Sequence, residues 1–197
     1  GRFRQAGYSA QSFHYNDPNF YNRGVMEPAM GYEAYNGYAN FGMVGDALLS
    51  DTGMFENEAL MDLFFGRTGT EAEPGSPFFN FVISRNAHMT YTYDEELSQF
   101  ALSQYPQYRG STGSEELDCI RAKARCCDDL FAYLLRTLEE NGCLENTVII
   151  GVTDHYAYGM KDQALLMEES GVSVPMLVEK TPCFIWSYDG PDMEVDK

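Results

Sequence analysis

The sequence predicts an α/β fold, a mostly parallel β-sheet sandwiched between helices. Three observations predict it. The run Thr147-Val148-Ile149-Ile150-Gly151-Val152 is continuously apolar and ends in Thr153-Asp154-His155-Tyr156. Buried parallel strands look like uninterrupted Val/Ile runs rather than alternating ones. Strand-like and helix-like stretches then alternate along the chain, the order that builds a parallel sheet covered on both faces. Finally, His14, His88 and His155 each fall at the end of a strand-like stretch. A parallel sheet gathers such ends on one edge, where open α/β sheets bind ligands.

In order, Arg2 to Ala6 reads as the end of a helix stopped by Gly7. Tyr8 to Phe13 reads as a strand, with His14 at its end. A turn-rich loop follows, Tyr15-Asn16-Asp17-Pro18-Asn19, then Phe20-Tyr21-Asn22-Arg23. Met26 to Met30 is a short helix closed by Gly31. Tyr32 to Gly53 reads as a long aromatic, glycine-rich loop, the kind that is functional or mobile. Asp51 or Thr52 is expected to cap a helix from about Met54 to Phe65. Gly66 to Pro77 is a polar linker.

Phe78 to Ser84 is the second clear strand and leads through Arg85-Asn86-Ala87 to His88. Tyr91 to Gly113 reads as a tyrosine-rich loop. Thr112 and Glu115 suggest a capping box for a long helix. Along it Leu117, Ile120, Ala124, Cys127, Phe131, Leu134 and Leu138 form one apolar stripe, with Arg121, Lys123, Asp128, Asp129 and Glu139 off it. Asn141-Gly142 ends the helix. After the Asp-His strand come a helix from about Lys161 to Ser170 and a last strand, Thr181 to Ser187, with Pro182 at its start. The tail from Tyr188 is acidic loop. If Thr147 to Val152 is central, Ile149→Ala or Ile150→Ala costs about 2–5 kcal/mol.

At 197 residues the chain fits a single domain. With 13 Lys+Arg against 30 Asp+Glu, its net charge of −17 excludes non-specific nucleic-acid binding, which needs a basic surface. No apolar run is long enough to span a membrane. The five cysteines form no C-x-x-C pair, so neither a disulfide framework nor a structural zinc site is expected; Cys127 reads as core. The opening Gly-Arg-Phe-Arg suggests a piece cut from something longer. Asp154 and His155 together offer a carboxylate and an imidazole, suited to a metal ion or to acid–base chemistry.

Four segments resemble the extracellular catalytic domain of the lipoteichoic acid synthases, phosphoglycerol transferases of the sulfatase and alkaline phosphatase superfamily. They are Gly7-Tyr8-Ser9-Ala10 through Phe13-His14-Tyr15-Asn16 to Phe20-Tyr21-Asn22-Arg23; Phe78 to Ser84 through His88 and Tyr91; Leu144 to Ile150 through Asp154-His155-Tyr156; and Thr181-Pro182-Cys183-Phe184-Ile185. The resemblance implies an alkaline phosphatase/sulfatase-like fold over residues 1–197, truncated at both ends, with the region of the family's nucleophilic threonine and an acidic metal ligand lying upstream. It implies that Asp154 and His155 are ligands of a divalent cation, Mn2+ or Mg2+, in an incomplete site. His14, Tyr21, Arg23 and His88 would surround the phosphoglycerol headgroup, and His88 would serve as acid or base. Tyr21 stands where the family usually has tryptophan.

The resemblance further implies a parent protein at the extracellular face of a bacterial membrane, held there by N-terminal helices. Its partners would be a phospholipid headgroup and a polyglycerolphosphate-type acceptor. This portion alone would be inactive. Thr153, pointing away from Asp154 along the strand, is no substitute nucleophile. Two alternatives remain: a sulfatase or phosphoethanolamine transferase of the same superfamily, or a non-catalytic domain that binds anionic headgroups or polymer.

Overall fold

The computed structural model describes residues 1–38, 49–67 and 77–191. Its centre is β1 (Ser9–His14), which pairs in parallel with β2 (Ala34–Asn36) on one side and β3 (Phe78–Ile83) on the other. Each face of this sheet is covered. On one, Phe13 and its neighbours Phe78 and Val82 pack into a cluster with Phe55, Leu60, Phe64 and Leu130. On the other, Phe79 stacks on Phe3, from α1 (Arg2–Gln5), at 4.0 Å between ring centres, and on Tyr32 at 5.9 Å. The α/β class and the parallel sheet between helices are as expected.

The stretch read as one loop from Tyr32 to Gly53 contains β2. This strand has only three residues, too few to show a period, and polar side chains hold it. Asn36 Nδ2 donates to Gln11 Oε1 and Ser12 O, and Tyr35 OH donates to Asn16 O at 3.0 Å. Residues 39–48 of that stretch, and 68–76 of the linker, lie outside the described residues. The single helix expected from Met54 to Phe65 is two, α3 (Asp51–Phe55) and α4 (Glu58–Phe64). Asn57 splits them, because its side chain accepts from Ala59 N and Leu60 N and so starts a new helix. Ser50 caps α3; Asp51 lies inside it, fully buried.

The tyrosine-rich loop likewise holds a helix, α5 (Glu96–Gln104), capped by Glu95. A glutamate in the cap position hid this start, since serine, threonine, aspartate and asparagine are the usual signals. The long helix α6 (Glu115–Glu140) is capped by Ser114, not Thr112, and Glu115 accepts from Tyr93 N instead of closing a capping box. Its buried stripe is also rotated. Cys119, Ala122, Lys123, Cys126 and Leu130 are buried, whereas Ala124 and Phe131 are exposed and Cys127 is half-buried. Lys123, placed on the solvent face by its charge, is fully buried. All five cysteines are free.

β4 (Val148–Val152) departs from the expectation of a buried parallel strand. It pairs antiparallel with β5 (Cys183–Ser187) in a separate two-stranded sheet. Ile149 turns toward the main cluster, and Phe184 packs on Phe131 of α6 at 5.8 Å. Val148, Ile150 and Val152 are 61%, 65% and 67% exposed. A run of β-branched residues favours a strand whichever face is covered, so one-sided burial left no trace in the pattern. Beyond β4, α7 (Gln163–Glu169) is capped by Asp162. No helix among the described residues is long and apolar enough to cross a membrane.

Candidate active site

His14 is the last residue of β1, 5% exposed, in register with Ile83 of β3. Its Nδ1 lies 3.0 Å from Ile83 O. A carbonyl only accepts, so Nδ1 carries the proton and Nε2 keeps its lone pair. Burial lowers the His14 pKa below the ordinary imidazole value; the Ile83 bond opposes this and the nearby Arg23 charge adds to it. The ring is therefore neutral at pH 7, with Nε2 as an acceptor.

The loop after β1 turns back through Tyr21 and Asn22, both left-handed at φ 52° and 54°. Non-glycine residues rarely adopt this conformation, and such strain collects at functional sites. It delivers Arg23 as the first residue of α2 (Arg23–Met30). Arg23 Nη1 donates to Glu27 Oε1 at 3.1 Å, and Glu27 is buried. Arg23 Nε and Glu27 Oε2 have no partner among the described residues. The Tyr21 ring, 75% exposed, stands 5.9 Å from the Arg23 guanidinium carbon.

β3 leads into a turn held by a reciprocal clamp. Asp51 accepts from Arg85 N at 2.9 and 2.8 Å and from Asn86 N at 2.7 Å. Asp51 N in turn donates to Asn86 Oδ1 at 2.8 Å, and Asn86 Nδ2 donates to Leu49 O. Burial pushes the Asp51 pKa up to about 6, against the opposing pull of those backbone donors and of Arg85. The clamped turn presents His88, exposed, with Nδ1 2.7 Å from Met89 O.

Asp154 and His155 follow β4. Asp154 Oδ1 lies 3.6 Å from His155 Nε2, and the carboxylate is 83% exposed. His155 Nδ1 donates to Tyr156 O at 2.9 Å, leaving Nε2 free. The His155 ring packs edge-on against Tyr158 at 4.6 Å and against His88 at 5.9 Å. The ends of β3 and β4 therefore meet although the strands belong to different sheets. His14 and Arg23 form a second group at the β1–β3 end, and the charge of Arg85 acts on His14 there. Thr153 faces away, its hydroxyl donating to Pro182 O at 3.4 Å.

A hard carboxylate beside an imidazole with a free Nε2 suits a divalent cation. Among the described residues, however, no group of three or more His, Cys, Asp or Glu side chains is placed to hold one. The Asp154–His155 pair fits part of a coordination sphere that needs four or more donors. The supports leave little sign in the sequence: Asp51 reads as a possible cap, Glu27 and Asn86 stand in no motif, and the charge of Lys123 points to solvent. For Lys123 one sign was available, because it sits at helical spacing from Cys119 and Cys126, inside the buried stripe.

Polar side chains collected at the carboxyl ends of strands, in a sheet covered by helices, mark an α/β domain with a candidate site beyond the sheet edge. The chain belongs to the sulfatase family, whose profile matches residues 2–194. It is 24% identical over 155 residues to a lipoteichoic acid synthase of Staphylococcus aureus and 23% identical to that of Staphylococcus saprophyticus. Those matches cover 78% of this chain but only 22% of each relative's length. The crystal structure of the lipoteichoic acid synthase LtaP from Listeria monocytogenes superposes with a TM-score of 0.65 at 17% identity, over 96% of this chain and 46% of that one. That likeness shows a shared fold.

Proposed function

We propose that this chain is part of an extracellular, metal-dependent phosphoglycerol transferase. It would move glycerol phosphate from a phospholipid headgroup to a lipoteichoic-acid-type polymer at the outer face of a bacterial membrane. The observation that carries the reading is the meeting of His88 and His155, 5.9 Å apart, beside Asp154. Similarity to lipoteichoic acid synthases supports the choice of substrate.

Arg23 forks onto phosphate oxygens, which its planar guanidinium matches better than lysine does. Glu27 holds that guanidinium in place. With Nδ1–H committed to Ile83, neutral His14 offers only an acceptor, so it takes a hydrogen bond from a glycerol hydroxyl. Tyr21 walls the headgroup. His88, with Nδ1–H committed to Met89 O, uses Nε2 to take the proton of an attacking hydroxyl and, once protonated, to give it to the leaving alkoxide. Asp154 Oδ1 and His155 Nε2 would hold Mn2+ or Mg2+. Such an ion, when bound, screens phosphate charge and makes a bound hydroxyl more acidic. Two protein donors hold it weakly, so the 197-residue chain alone is expected to be inactive.

The same two-donor set favours a second reading, a non-catalytic domain that binds anionic headgroups or polymer. Titration of the chain with sn-glycerol 1-phosphate, with and without Mn2+, separates the two. The transferase reading expects the ion to tighten binding and Arg23→Ala to abolish it. Binding that ignores the ion favours the second reading, and no binding at all removes both.

A further inference from the structure

We propose that Lys123 is a positioning residue for His88: it orients the backbone around the imidazole so that Nδ1 holds the proton and Nε2 faces the site. This rests on the reading of His88 as the acid–base group.

Lys123 leaves the middle of α6 and is fully buried. Its ammonium has three N–H donors, and each finds an acceptor. Nζ donates to His88 O at 2.8 Å, to Thr90 O at 2.8 Å and to Glu95 Oε2 at 2.7 Å. Glu95 is itself fixed, since it caps α5 through Leu97 N and Ser98 N and accepts from Ser98 Oγ. The Tyr91 ring lies 5.5 Å from the ammonium.

The two carbonyls that Lys123 grips flank Met89. Drawn inward, they leave the Met89 carbonyl between them free to meet the His88 ring, 2.7 Å from Nδ1. A carbonyl cannot donate, so this contact selects the Nδ1-protonated form. Nε2 is then an unprotonated lone pair on an exposed ring, next to His155. His155 reaches the same form by another route, through Tyr156 O, with no contact to Lys123. A buried lysine is costly unless each donor is paired, and a shorter or apolar residue would fill the stripe of α6 more cheaply. The lysine's contacts all go to the His88 turn and its anchor at α5.

The test is the tautomer of each histidine, read from imidazole nitrogen shifts in the 197-residue chain at a pH above the imidazole range, without metal or phosphate. Wild type is expected to show both His88 and His155 protonated at Nδ1. In Lys123→Met, His88 is expected to move toward the Nε2-protonated form while His155 stays. Unmoved His88 in a folded Lys123→Met chain overturns the proposal. So does joint movement of His88 and His155, which would mark a structural role alone. If Lys123→Met does not fold, Lys123→Gln, whose amide nitrogen sits one bond short of the ammonium and so cannot reach both carbonyls, is read the same way. Nε2-protonated His88 in wild type overturns the proposal whatever the variants do. Loss of headgroup binding in the titration above would instead sink the transferase reading and leave the ring result standing.

Discussion

Asp51→Asn tests whether burial or hydrogen bonding governs the carboxylate that clamps the His88 turn. The side chain is 1% exposed and accepts from two backbone N–H groups, those of Arg85 and Asn86. Burial disfavours the charge and the donors favour it. The structure gives burial the larger effect, raising the pKa from 3.8 to about 6. An acid with a raised folded pKa binds more protons folded than unfolded between those values. Its contribution to stability is therefore fully present below the unfolded value and lost as pH rises through the folded one. A difference of this size corresponds to about 3 kcal/mol. Asparagine cannot ionise, so the stability gap between wild type and Asp51→Asn should shift in favour of the variant by about 2 kcal/mol from pH 4 to 7, the rest being lost below pH 4. Urea unfolding followed by circular dichroism at several pH values measures it. Using the gap removes His14, whose lowered pKa acts in the opposite sense, losing stability as pH falls below 6.5. A gap that stays flat, or that moves toward wild type as pH rises, would mean that the two N–H groups outweigh burial.

Three further outcomes follow from the geometry. Ile149→Ala should cost about 1–2 kcal/mol and Ile150→Ala under about 0.5, since only Ile149 reaches the core; equal costs would contradict the one-sided burial of β4. Arg23→Lys keeps the charge but loses the fork, so affinity for sn-glycerol 1-phosphate should fall roughly tenfold by calorimetry. An unchanged affinity would place the phosphate elsewhere. Asp154→Ala and His155→Ala should each abolish Mn2+ binding to the chain, as read by water-proton relaxation, because a pair reduced to one donor holds no ion; retained binding in either would move the metal away from β4.

Much of this was legible in the sequence, for reasons that differ by element. β1, β3 and α6 announce themselves by length and periodicity, and the Asp154–His155 pair by its place after a β-branched run. β2 and α5 were hidden because their supports are polar. Asn36 and Tyr35 fix the one, and Glu95 starts the other, without any hydrophobic pattern to read. The orientation of β4 was not legible because Val148 and Ile150 look as buried as Ile149. At the site, the residues that carry chemistry were visible as types at strand ends. Those that hold them were harder to see: Asp51 and Lys123 find their partners far along the chain, and Glu27, four positions from Arg23, looks like an ordinary surface pair on a helix. Lys123 and the carbonyl of His88 are 35 positions apart.

A shared site at the ends of β3 and β4 underlies the proposed chemistry. Adding Mn2+ to the isotopically labelled chain and following paramagnetic broadening tests it most directly. The ring signals of His155 and His88 are expected to broaden together at low metal, while Thr137 near the far end of α6 stays sharp. Broadening of His155 with His88 untouched, or equal broadening throughout, would contradict it.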